Sequence, residues 1–329
     1  MDPAQLTEMG GKIIFDSYHQ LRRALTISHQ QRLLSRKSQP QTVLAALALL
    51  LLTGVATAQE KPARFEVIKV TDEIYVHRDN GHMNLFLITD EGIVVVDPMN
   101  PDAGSNLAQE LQRMAPDKKL LAIVYSHYHS DHAGGARPLL DVYGDDVPIV
   151  ANKRTGELLA DKNWKSVVPP TKLIEPPWSM KVGKLTLEMR HVGPNHSSDM
   201  LVAWVPEANL VYVVDFISNE SVGYRNLPGV WLPQYWESID KVLEWPIELA
   251  TFGHGMPGNK KSIEDHAEYW RNLRATIRDA IANGITEDKA VENIQMPEYK
   301  DWRSYEEWFP MNVRAVYRYE KKAAAESAE

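Results

Sequence analysis

From residue 65 onward the chain alternates short apolar runs with turn-forming residues. Residues 65–70, 74–77, 85–89 and 93–97 read as strands, punctuated by Asp79-Asn80-Gly81 and Asp90-Glu91-Gly92. Apolar positions at helical spacing over Pro101–Met114 predict an amphipathic helix, and the unbroken apolar run 120–125 predicts a buried strand. A second block repeats the logic, with strands near 149–151, 185–192, 201–205 and 210–214 and a helix over Gln234–Leu243. Mixed strands and helices in two similar halves predict an α/β fold of two packed sheets with helices outside. The tail reads as helices over 262–283, closed by Gly284, then 286–294 and 305–319, and its Trp270, Trp302 and Trp308 read as packing residues. No internal repeat of fixed period occurs.

The N-terminal 58 residues follow another logic. Residues 43–58 form an uncharged apolar run, preceded by Arg32, Arg36 and Lys37 and ending in Ala56-Thr57-Ala58. A bilayer span wants about 20 apolar residues, so this shorter run reads as a signal peptide cleaved after Ala58, with an uncleaved anchor or a buried core helix as the competing readings. That predicts a periplasmic or secreted protein with no stable membrane span after cleavage. Residues 1–40 form a polar lead-in longer than an ordinary signal peptide needs. Three segments result: 1–58, a catalytic domain over 59–260, and a C-terminal helical extension over 261–329.

Composition narrows the chemistry. There is no Cys in the 329 residues, so disulfides, iron–sulfur clusters and thiolate zinc sites are excluded, and any metal must be held by His, Asp, Glu or water. Net charge is −8, and it becomes −11 once residues 1–58, with six basic and three acidic residues, are set aside. Nucleic-acid binders rely on basic excess to neutralise phosphates, so a nucleic-acid partner is not expected and a small-molecule substrate is.

The candidate site is Ser126-His127-Tyr128-His129-Ser130-Asp131-His132-Ala133-Gly134-Gly135, which sets three His and one Asp within six residues between an apolar strand and a helix start. Loops at the C-terminal edge of a sheet are where α/β proteins place ligands. On an extended backbone His127 and His129 project to one side, and Gly134 and Gly135 are expected to let the backbone pass close to the site. A His cluster in this setting reads as a metal site.

This sequence resembles the HxHxDH signature of the metallo-β-lactamase superfamily, and the family's later motifs follow in order. Gly193-Pro194-Asn195-His196-Ser197-Ser198-Asp199 resembles its next His loop, Val213-Val214-Asp215 its strand-end acidic ligand, and Gly253-His254-Gly255 its last His ligand. The resemblance, spanning about residues 65–258, implies a four-layer αβ/βα sandwich with a dinuclear site in the cleft along the sheet edges. It implies that His127, His129 and His196 hold one metal ion, that Asp131, His132 and His254 hold a second, and that Asp215 bridges them. Asp131 would also steer a proton. Asp97, followed by Pro98, resembles the buried carboxylate that orients a ligand His, and reads equally well as a turn or capping residue. Such donors suit Zn²⁺, two per chain, with iron or manganese left open.

The implied activity is that of an exported hydrolase, in which a hydroxide bridging two zinc ions cleaves an ester, lactone, lactam or thioester. Two other enzymes of this fold are alternatives: an iron-dependent oxygenase resembling persulfide dioxygenases, and a β-lactamase proper. The bridging Asp and the absence of Cys depart from the β-lactamase pattern. A non-catalytic binding protein is disfavoured because all seven expected ligands are present. Aromatic residues at 224, 231, 235 and 236, with Trp164 further upstream, are candidates for a cleft wall, although Trp231 and Trp236 read more readily as packing. Arg225 is a candidate carboxylate clamp. His82 reads as a cleft or hairpin residue, His191 as a core or rim histidine, and His77 and His266 as exposed. The helical tail either covers the site or forms a homodimer face.

Overall fold

The computed structural model describes residues 63–327; the signal-peptide reading falls outside them. The first sheet has seven strands in sequence order: β1 (Phe65–Lys69), β2 (Ile74–Asp79), β3 (His82–Ile88), β4 (Ile93–Val96), β5 (Leu120–Val124), β6 (Ile149–Asn152) and β7 (Lys172–Ile174). It is antiparallel from β1 to β4 and parallel from β4 to β7. The second sheet is formed by β8 (Trp178–Val182), β9 (Leu185–Arg190), β10 (Val202–Val205), β11 (Leu210–Val213) and β12 (Leu249–Phe252), antiparallel except for the parallel pair β11–β12.

Alternation along the central strands explains the layering. Leu85, Leu87, Val94, Val96, Ala122 and Val124 join a core with Leu187, Met189 and Ala203 of the second sheet. Their sequence neighbours Phe86, Val95, Ile123 and Tyr125 pack the other face against Leu107 and Leu111 of helix α1 (Pro101–Met114) and Leu139, which lies beyond the short helix α2 (Ser130–Ala133) in α3 (Ala136–Tyr143). Because successive side chains point to opposite faces, strands covered on both sides become continuous apolar runs. Helix α1 starts at Asn100, whose side chain accepts from Ala103 N at 3.0 Å, with Pro101 as its first residue.

After α4 (Lys153–Lys162), the remaining helices are α5 (Gln234–Leu243), α6 (Lys260–Ala282), α7 (Glu287–Asn293) and α8 (Tyr305–Glu326). Trp236, Trp270, Leu273, Ile277, Val313 and Val316 from these helices belong to the same buried cluster as the second sheet. The order is therefore helices, sheet, sheet, helices. Among the described residues no helix is long and apolar enough to cross a membrane.

Two expectations change. The strand at 149–151 was expected in the second half, but β6 pairs parallel with β5 in the first sheet, so the halves divide after β7. The edge strands β7 and β8 were not anticipated: their Lys172, Leu173, Ser179 and Lys181 face solvent, and the Pro-rich segment joining them breaks the apolar pattern.

Candidate metal centre

Both sheets deliver their polar residues at strand ends. Asp97 follows β4, and His127 and His129 lie in the turn after β5, with Asp131 and His132 in α2. From the second sheet, His196 lies in the loop after β9, Asp215 two residues past β11, and His254 two residues past β12. Since β4–β5 and β11–β12 are parallel pairs, their C-terminal ends open to one side of each sheet. Val95-Val96-Asp97 and Val213-Val214-Asp215 repeat one solution: the Asp adopts left-handed backbone, φ 56° and 62°, and turns the chain at the strand end. Non-glycine residues rarely adopt this conformation, and such strain gathers at functional sites.

The two oxygens of Asp215 face different partners. Oδ2 lies 3.1 Å from His127 Nε2, 3.3 Å from His196 Nε2 and 4.0 Å from His129 Nδ1. Oδ1 lies 2.8 Å from His254 Nε2 and 3.2 Å from His132 Nε2. Asp131 Oδ2, on a half-exposed side chain, stands 3.7 Å from His132 Nε2. The seven predicted residues are thus brought together as two groups sharing one carboxylate. Donor atoms lie within 4.8 Å of one another in the set His127, His129, His196 and Asp215, and likewise in the set His132, Asp215 and His254.

Three of the imidazoles face groups behind the site with their other ring nitrogen. His127 Nδ1 is 3.0 Å from Ser126 Oγ, and His254 Nδ1 is 3.3 Å from the Gly81 carbonyl. His132 Nδ1 faces Asp97 Oδ2 at 3.7 Å. Asp97 is fully buried; its Oδ1 accepts from Ser126 N at 2.7 Å, and its Oδ2 accepts from Tyr212 Oη at 3.2 Å. Tyr212 escaped the sequence reading, although a hydroxyl in the otherwise aliphatic strand Leu210–Val213 was its available signal. The His196 loop is braced by Asn195 Oδ1, which accepts from His196 N at 2.6 Å, and by Thr155 Oγ1, which donates to Asp199 Oδ2 at 2.7 Å.

Burial and charge set the protonation of these groups. Burial alone would raise the Asp215 carboxyl, but the imidazoles around it, above all the charge of His132, hold it well below the usual carboxylate range. Burial likewise opposes the charged form of His132, yet Asp215 together with Asp131 and Asp97 raises it well above 6.5. Burial pushes His196 down to about 4.

These residues fit a divalent metal. The Nε2 atoms of His127 and His132 and Oδ1 of Asp215 are buried without a hydrogen-bond partner, despite lying so close together. Buried polar atoms are rarely left this way, and lone pairs converging on common points are what a cation satisfies.

Several expectations about single residues are corrected. His77 and His266 are buried, not exposed: His77 Nε2 is 2.8 Å from Asn106 Oδ1, and Trp270 Nε1 donates to His266 Nε2 at 3.0 Å. His191, expected in the core or rim, is exposed because β9 ends at Arg190. Trp236 is buried as expected, but Trp231 is half exposed. The missing Cβ of Gly135 makes room for the Pro98 carbonyl rather than for the centre, which locks the His loop onto the segment after Asp97. His82 faces the centre, with Nε2 3.6 Å from Asp131 Oδ2.

The chain belongs to the metallo-beta-lactamase superfamily, whose family profile matches residues 78–254. It is 25% identical over 235 residues to the 2,4-dinitroanisole O-demethylase subunit alpha of Nocardioides sp. (strain JS1661), covering 69% of this chain and 67% of that protein. It is 22% identical to the metallo-beta-lactamase type 2 of Bacillus cereus, covering 59% of this chain and 78% of the relative. Among solved structures it shares the fold of the stereoselective inverting sec-alkylsulfatase from Pseudomonas sp., with a TM-score of 0.61 at 20% identity over 78% of this chain and 50% of the sulfatase. The metallo-beta-lactamase from Pontibacter korlensis superposes with a TM-score of 0.55 at 19% identity, covering 63% of this chain and 99% of that one.

Proposed function

We propose that this protein is an exported hydrolase with two zinc ions per chain, cleaving an ester, lactone, lactam or thioester of a small-molecule substrate. The observation that carries the reading is the division of Asp215, with Oδ2 among His127, His129 and His196 and Oδ1 between His132 and His254. When bound, two divalent cations supply Lewis acidity and a water ionised near neutral pH. The chain's own residues do the rest. Asp215 stays ionised and neutralises charge on both sides. Ser126 and the Gly81 carbonyl hold His127 and His254 in orientation, and Asp97 sets a buried negative charge 3.7 Å behind His132; outer partners of this kind orient metal ligands and tune the ion they hold. Asp131, half-exposed and beside the centre, is placed to pass a proton to a departing group.

Export is part of the proposal and rests on the apolar run 43–58; an intact mass starting at Gln59 for protein recovered from the periplasm or medium supports it. Activity is tested on metal-stripped and zinc-reloaded protein with chromogenic β-lactam, lactone, aryl ester, thioester and aryl sulfate substrates. The sulfate is included because the relatives include a linear primary-alkylsulfatase of Pseudomonas sp. (strain ATCC 19151), of which this chain covers 48%. Hydrolysis that is lost on stripping, restored by Zn²⁺ and abolished by His129→Ala is the expected result. Turnover indifferent to metal removal refutes it, and predominant iron with oxygen-dependent turnover replaces it with oxygenase chemistry.

A further inference from the structure

His82 lies beside the candidate metal centre but outside the four motifs that carry the family resemblance. Its Nε2 lies 3.6 Å from Asp131 Oδ2, its ring centroid is 4.6 Å from that of His254, and donor atoms of His82, Asp131 and His254 lie within 4.8 Å of one another. The backbone makes this proximity durable. His82 and His254 form an antiparallel bridge, and Met83 N donates to the Gly253 carbonyl at 2.8 Å. The β2–β3 hairpin is therefore stitched to the end of β12, and the Gly81 carbonyl orients His254 from the same hairpin. His82 begins β3 just after Asn80 and Gly81, and its half-exposed imidazole lies against Asp131 and His254 at the edge of the centre.

We propose that His82 is an additional ligand to the cation held by Asp131, His132 and His254. The inference rests on the dinuclear reading above. With Asp215 Oδ1, that cation then has five protein donors, whereas the cation among His127, His129 and His196 has four including Asp215 Oδ2. The two positions become unequal. A divalent ion with five protein donors has little room for an exchangeable ligand, so substrate engages the cation on the His127 side, and the His82 side anchors and neutralises. Imidazole enrichment also favours the borderline ions zinc, iron and nickel over calcium or magnesium at that position.

The test is metal titration of the metal-free full chain, read by competition with a chromophoric chelator and by Co²⁺ visible absorption, neither of which requires a substrate. Wild type is compared with His82→Ala and with His82→Asn, which keeps a polar contact to Asp131 without an imidazole donor, and with His191→Ala as an exposed-histidine control. The expected result is two equivalents in wild type, with the affinity of one lowered at least about tenfold in both His82 variants and the other unchanged. The Co²⁺ band of that one equivalent should intensify in the variants, because four-coordinate Co²⁺ absorbs more strongly than five-coordinate. Melting temperatures of the metal-free proteins establish that the variants fold. Wild-type affinities and spectra in both His82 variants overturn this inference and leave the dinuclear reading standing. A wild-type chain that holds no second equivalent overturns both.

Discussion

His132 spans two buried carboxylates: its Nε2 is 3.2 Å from Asp215 Oδ1, and its Nδ1 is 3.7 Å from Asp97 Oδ2. One ring thus couples the strand-end Asp of the first sheet to that of the second. All three side chains are nearly or fully shielded from solvent, so in the metal-free protein the pair behaves as a buried ion pair.

Metal uptake should therefore expel a proton. Burial opposes protonation of His132, but Asp215 outweighs it and holds the pKa well above 6.5, while burial keeps His196 neutral near pH 7 with a pKa of about 4. Calorimetric titration of Zn²⁺ into metal-free protein at pH 7, repeated in buffers of different ionisation enthalpy, should show release of about one proton from His132. The sign for stability follows from the same shift. A group whose pKa is raised on folding stabilises fully below its unfolded value and loses that contribution as pH climbs through the folded one. The Tm of metal-stripped protein should accordingly fall as pH is raised above about 6.5. A Tm that rises over that range, or binding heats independent of buffer, contradicts the pairing.

Asp97→Asn tests the carboxylate behind His132. The amide preserves shape and can still accept from Ser126 N, but it removes the charge that faces His132 Nδ1. Loss of an outer partner of a metal-bound imidazole costs about 10- to 100-fold in metal affinity or activity. Zinc affinity of Asp97→Asn should fall within that range, and Tyr212→Phe, which removes one hydrogen bond to the same carboxylate, should fall less. Unchanged affinity in Asp97→Asn would reduce Asp97 to a turn residue.

Much of this site was legible because its residues sit at strand ends, where hydrophobic runs stop abruptly. Val-Val-Asp at 97 and at 215, and the dense His run after β5, stand out from apolar sequence on local grounds alone. What local pattern could not supply was which strand pairs with which: β6 looks like any buried strand, and its assignment to the first sheet depends on a parallel crossover. Burial of His77 and His266 was hidden for a related reason. Each pairs one ring nitrogen with a side chain on a helix, Asn106 in one case and Trp270 in the other, and only packing reveals such partners. His82 was ambiguous because its neighbour His254 is 172 positions away in sequence and is brought near by a two-residue bridge.

Aromatic residues gather at the His127 side, Tyr128 and Trp164 through their rings and Trp231 through its backbone. Tyr128 packs on His129 with centroids 4.3 Å apart and stacks on Trp164 at 5.6 Å, and Trp231 N donates to the carbonyl of Asn195, next to His196, at 2.8 Å. Half of Trp231 is exposed, so it contributes little to the core. An aromatic contact is worth about 0.5–1.5 kcal/mol beyond area burial, which predicts a rise in KM of about twofold to tenfold for aryl substrates in Trp231→Ala. Stability should change by no more than about 0.5 kcal/mol, and kcat should hardly move. A kcat loss with constant KM would place Trp231 in the bond-breaking step instead.

Asn312 provides the last prediction, because the helical tail reaches the loop after Asp215 through it. Its Oδ1 accepts from Tyr269 Oη at 2.7 Å, and its Nδ2 donates to the carbonyls of Gly223 at 3.0 Å and Arg225 at 2.5 Å. The side chain is fully buried, and Trp270 fills the space where a Cβ on Gly223 would stand. In Asn312→Leu the branched skeleton is kept in a larger side chain, but a hydroxyl and two carbonyls lose their partner, each at about 1–3 kcal/mol where water cannot replace it. Chemical denaturation should show a loss of about 3 kcal/mol or more, with the metal content of the folded fraction unchanged. Asn312→Asp keeps an acceptor for Tyr269 but offers no donor to the two carbonyls, so it should be at least as damaging. Near-wild-type stability in Asn312→Leu would mean that α8 leans on this loop through apolar contact alone.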